Sequence, residues 1–142
     1  RVNALMAPMA VGLADQDMAD LAQYFSQQKA SIGGAKKELV ELGQKIFRGG
    51  KKEIGLTACS GCHGPAGKGN TFAAFPHISG QHAEYTANQL KMFRAAGRDD
   101  LTGDRRENDG AKPGDLGPMQ MIAAKLSDKD IEALASYIQG LH

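Results

Sequence analysis

The chain has 142 residues, 42% of them hydrophobic, and a formal net charge of +1. That is apolar material enough for one domain, or for one domain with a piece of another. A near-neutral chain without a basic tract argues against a nucleic-acid partner, and no apolar run approaches the roughly 18 residues that a membrane-spanning helix needs.

In chain order, the first element is a loop to Leu13, followed by a helix from about Asp15 to Gln28. A linker comes next, punctuated by Gly33-Gly34. The spacing then predicts a helix over Lys37 to Arg48, with Leu39, Gly43, Ile46 and Phe47 on one stripe. Glycine inside a helix costs about 0.5–1 kcal/mol relative to alanine. Gly43 is therefore expected to mark a close crossing, with Leu134 and Tyr137 of the last helix as its partners. The stretch from Gly55 to about Asn70 holds both cysteines, and FPHISGQ, Phe75 to Gln81, reads as a Pro-containing loop. A helix from about His82 to Ala96 carries Ala83, Thr86, Ala87, Leu90 and Phe93 on one side. Residues 97–118, rich in Gly, Asp, Arg and Asn, read as an irregular loop. The last helix begins at Ser127, where Ser127-x-x-Asp130 resembles a capping box, and stops near Gly140.

The start of the chain repeats its end. Without a gap, Met6 falls on Met119, Leu13 on Leu126, Asp15 on Asp128, Asp17 on Asp130 and Tyr24 on Tyr137. The apolar set Met18, Leu21, Ala22 and Phe25 falls on Ile131, Leu134, Ala135 and Ile138, each at i, i+3, i+4, i+7 of a helix. Amphipathic helices resemble one another, but the matching Met, Asp and Tyr positions argue for a true repeat.

The two cysteines sit in ACSGCHGPAG. Cys-x-x-Cys followed at once by His is the attachment signature of a c-type haem. Thiols three positions apart reach two vinyl groups on one porphyrin edge, and the next residue, His63, comes under the iron. A thioredoxin-like pair would need a strand–helix setting, a structural zinc would need four spaced ligands that His77, His82 and His142 do not supply, and a disulfide across two residues would be strained. His77 reads as a neutral surface residue.

An iron held by His on one side can take Met on the other. Met18 and Met92 fall at helical positions and read as filler. Met9 falls on Ile122 and Met121 on Pro8, so only Met6 and Met119 match each other. Met119, in a loop just after Gly117-Pro118, is assigned to the haem of Cys59, Cys62 and His63, with Met121 as the alternative. Met6 would then serve a haem whose attachment motif lies upstream of Arg1. Arg1 is no initiator Met, and the chain reads as processed or cut. Residues 1–30 thus read as the C-terminal tail of a first cytochrome domain, 31–37 as a linker and 38–142 as a complete second domain. The alternative for Met6 is a buried methionine on a plain N-terminal helix. The fold class is all-α, three main helices wrapped around the haem, with the apo protein poorly folded.

CSGCH with Met119, the G-x-x-x-F of the first domain helix and LSDKDIEALASYI look like a class I cytochrome c. FPHISGQ, the GQHAEYTANQLKMFR stretch and the repeated tail resemble the bacterial di-haem cytochrome c-four group, over nearly the whole chain. The resemblance implies thioethers at Cys59 and Cys62, axial ligands at His63 and Met119, and Met6 as ligand of a first haem, so that the intact protein would carry two haems c. It implies a hydrogen bond from the His63 ring to the Pro76 carbonyl. It places Tyr85, Gln89 and Arg98 near the haem propionates. The Gly97–Met119 loop looks longer than the family's, which bears on Arg98 most. Family members are periplasmic, some of them held at the membrane surface, and pass electrons from the quinol-oxidising complex to a terminal haem–copper oxidase. The expected chemistry is outer-sphere one-electron transfer, not enzymic turnover. Competing readings are an electron-entry cytochrome module of a larger redox enzyme, and a haem peroxidase with an open sixth position, for which neither His77 nor His82 has a sequence partner. Lys36, Lys37, Lys51 and Lys52 form a candidate docking patch.

Overall fold

The computed structural model describes residues 5–29, 31, 33–108 and 115–142. Two linker residues and the centre of the loop after residue 97, residues 109–114, lie outside the described residues. The chain divides into two compact units, Arg1–Ser31 and Ile32–His142.

The first unit holds α1 (Met6–Ala10) and α2 (Asp15–Ser26). The loop expected before Leu13 thus contains a helical turn of five residues. Asp17 accepts the Ala14 amide at 2.9 Å, closing the start of α2.

The second unit holds α3 (Lys37–Gly49), a 3₁₀ turn (Lys52–Ile54), α4 (Ser60–His63), α5 (Ala83–Gly97), α6 (Pro118–Ala123) and α7 (Asp128–Gln139). There is no strand among the described residues, only isolated bridges between Lys51 and Leu56 and between Asn70 and Phe75. α7 packs against α3 and α5, and α6 against α5. The core is made of the predicted stripes: Ile46 and Phe47 of α3, Leu90 and Phe93 of α5, and Ile131, Leu134, Tyr137 and Ile138 of α7. The Phe47 and Tyr137 rings meet at 5.5 Å. The crossing expected at Gly43 is there. A Cβ on Gly43 would stand 2.6 Å from the Tyr137 Cβ, closer than real atoms approach.

The alignment that pairs Met6 with Met119 also pairs the ends of α2 with those of α7, residue for residue. Ser127 bonds the Asp130 amide at 3.2 Å while Asp130 accepts the Ser127 amide at 3.1 Å. At Ala14 only the second arm exists, because alanine has no oxygen to offer. The repeat is therefore one of structure. The face it buries in α7 is exposed in α2, where Met18 is 46% and Phe25 66% accessible.

One expectation is corrected. Met119 lies in α6 and not in a loop. Proline fixes φ and has no amide to satisfy, so Pro118 suits the first helical position after extended Gly117. Six residues are too few to show a helical period in sequence.

Candidate haem site

Cys59, Ser60, Gly61, Cys62 and His63 form a single helical turn, tied by the His63 amide to the Cys59 carbonyl at 3.0 Å. The turn sets the two thiols on one side and carries the imidazole at its end. Both cysteines are free and half-buried. Burial is the main reason the Cys59 thiol is pushed up to about 11. A redox or nucleophilic cysteine needs the opposite, a stabilised thiolate. Among the described residues no group of three or more His, Cys, Asp or Glu could hold a metal ion, so the structure favours neither the dithiol nor the zinc reading.

His63 is only 8% exposed. Its Nδ1 lies 2.9 Å from the Pro76 carbonyl oxygen. A carbonyl can only accept, so Nδ1 carries the proton and Nε2 is left with the lone pair that a metal requires. The chain reaches Pro76 through a backbone hairpin, Asn70 amide to Phe75 carbonyl at 2.8 Å and the reverse at 2.9 Å. Gly69 makes this possible. Its φ is +72°, and a Cβ there would stand 2.6 Å from the Pro76 carbonyl carbon.

Met119 is half-buried and packs against the same core cluster as Cys59. Met121, the alternative ligand, is 50% exposed. Met6 lies in the first unit, on α1, and is 61% exposed. Tyr85 is 42% exposed at the start of α5. Gln89 accepts a bond from Arg106 Nη1 at 2.5 Å.

Arg98 is hydrogen-bonded within the fold. Its Nε donates to the Ala124 carbonyl at 2.8 Å and its Nη2 to the Leu126 carbonyl at 3.1 Å. The chain leaving α6 presents carbonyls without a helical partner, and the guanidinium of Arg98, the residue that ends α5, is well placed to take them. The lysine patch is also altered. Lys51 Nζ lies 2.7 Å from Asp130, whose side chain is 4% exposed, so this cation is committed to the fold.

Sequence reading missed Asn108, which accepts the Met119 amide at 3.1 Å, and Gln120, which accepts the Gly117 amide at 2.8 Å. Neither stands out locally. Only the recurrence of amide side chains on both flanks of the Gly117-Pro118-Met119 turn could have pointed to them.

Residues 40–142 match the cytochrome c family across the whole of the site just described. The chain belongs to the cytochrome c family. It is 52% identical to cytochrome c4 of Azotobacter vinelandii over 137 residues, covering 96% of this chain and 60% of that protein. The crystal structure of reduced recombinant cytochrome c4 from Pseudomonas stutzeri superimposes with a TM-score of 0.83 at 51% identity, covering all of this chain and 68% of the other. A thiosulfate dehydrogenase electron acceptor of Stutzerimonas stutzeri is 35% identical over 142 residues, covering 96% of this chain and 58% of that protein. The chain thus spans about 60% of the length of the cytochrome c4 it matches. The cofactor of a cytochrome c with this motif is covalently bound haem c, and the residues present fit it. Two free thiols share one turn with an imidazole whose Nδ1 is committed to a carbonyl, leaving Nε2 for the metal.

Proposed function

We propose that the chain is part of a di-haem one-electron carrier: a haem domain over residues 38–142, preceded by two helices that belong to another haem domain. The observation that carries this reading is that Cys59, from the attachment turn, and Met119, from α6, pack against one buried cluster. An attachment residue and a candidate ligand from distant parts of the chain thereby border the same core.

Bound haem supplies a one-electron ferric/ferrous couple at a metal that needs no bond to substrate. The Cys59 and Cys62 thiols would hold the haem covalently, each as a thioether formed by adding S–H across a vinyl group. His63 would offer Nε2 to the iron, and its Nδ1 proton on the Pro76 carbonyl would fix the ring plane and raise the ligand's basicity. Met119 would supply a thioether as the second ligand, which would raise the potential. With His63 and Met119 both serving as ligands, the haem would offer no open site to peroxide or dioxygen. Met6, aligned with Met119, would do the same for the first haem. The exposed apolar face of α2, equivalent to the buried face of α7, supports its origin in such a domain.

As in the family, the carrier would work in the periplasm between the quinol-oxidising complex and a terminal haem–copper oxidase. A second reading draws on the 35% identical thiosulfate dehydrogenase electron acceptor, in which the donor would be a thiosulfate-oxidising enzyme. Tyr85 and Gln89 remain as neighbours of the haem edge in this proposal.

Carbon monoxide tests the ligation. The ferrous protein should not take it up at neutral pH, and Met119→Ala should. Rapid uptake by the unaltered protein would remove Met119 from the iron and reopen the enzymic reading.

A further inference from the structure

We propose that Asn108 and Gln120 are positioning residues that clamp the Met119 thioether in place, a proposal that rests on Met119 being the axial ligand. The first amides of a helix have no partner within it. In α6, Pro118 has none to satisfy, and the Met119 amide is taken by Asn108 Oδ1 at 3.1 Å. The bond therefore falls on the backbone of the ligand residue itself. Gln120, next in sequence, is 2% exposed and turns its Oε1 back to the Gly117 amide at 2.8 Å. The same oxygen receives the Asn108 amide at a longer 3.4 Å. Two side-chain amides thus tie the turn before the thioether to one another. The fit is close, since a Cβ on Gly117 would stand 2.6 Å from Asn108 Cγ.

Asn108 is itself delivered from a fixed point. Two residues earlier, the Arg106 amide bonds the Met92 carbonyl of α5 at 3.1 Å. The Arg106 guanidinium lies 4.6 Å from the centre of the Phe93 ring. The clamp thereby transmits the position of α5, a core helix, to the ligand. A helix of six residues has little stability of its own, so its placement depends on such ties.

The test is displacement of the thioether. Ferric holoprotein is titrated with imidazole, which competes for the sixth position, and loss of the far-red thioether-to-iron charge-transfer band is followed. Asn108→Leu removes the acceptor at similar volume and should bind imidazole about tenfold more tightly, while Asn108→Asp keeps the acceptor and should stay within about twofold of the unaltered protein. Equal imidazole affinity in Asn108→Leu and the unaltered protein overturns the clamp. So does an equal gain in both variants, which would mark a general structural role. Absence of the band from the unaltered protein, or its survival in Met119→Ala, overturns the ligand reading instead. If Asn108→Leu fails to incorporate haem, Asn108→Ala, which adds no bulk, is read by the same criterion.

Discussion

At the scale of single residues, the site divides by how local its chemistry is. Cys59, Cys62 and His63 were legible because covalent attachment demands a fixed spacing within one turn. Asn108, Gln120 and the Arg98 guanidinium were not, because their partners are fixed only when α5 and α6 meet. Pro76 acts through its backbone carbonyl, which no substitution deletes, but Gly69 gives access to it. Gly69→Ala places a Cβ in a left-handed conformation and against Pro76 at once. It should cost about 1–3 kcal/mol and move the Pro76 carbonyl off His63. Chemical denaturation would read the cost, and the iron–histidine stretching frequency would read the lost hydrogen bond. A variant with unaltered stability and vibration would show that the ring is held by something other than Pro76.

At the scale of elements, long periodic helices were predicted to within a residue or two, and the short α1 and α6 were not. The core stripes of α3, α5 and α7 repeat often enough to be seen; a five- or six-residue turn does not. α7 also carries an electrostatic device that the capping motif only half revealed. Burial alone would raise the Asp130 carboxyl. Hydrogen bonds from Lys51 and from Ser127, with the Lys51 charge, outweigh it and hold the group below its ordinary 3.8. A depressed folded value means that ionised Asp130 favours the folded state above about pH 4, and that this contribution fades as acid takes the group through its lower folded value. Asp130→Asn should therefore be less stable than the unaltered protein at neutral pH, and the difference should narrow as the pH falls below about 4. Thermal unfolding from pH 7 downwards checks this, and a difference independent of pH would remove Asp130 from the acid response.

At the scale of the whole molecule, the second unit is built on α7, which packs against both α3 and α5, with the attachment turn and α6 contributing residues to its core from distant parts of the sequence. In the proposed holoprotein both would hold the cofactor, whose apolar area the helices would share, so stripping the haem should cost most of the helical far-ultraviolet signal. The central claim is that iron is held by His63 and Met119 and passes one electron at a time. Optical redox titration of the holoprotein beside Met119→His tests it most directly. The account predicts a one-electron transition for the Cys59–Cys62 haem, at a potential that falls by on the order of 100 mV in Met119→His, within the roughly 0.8 V that axial ligands command. A potential unchanged by that substitution would contradict it.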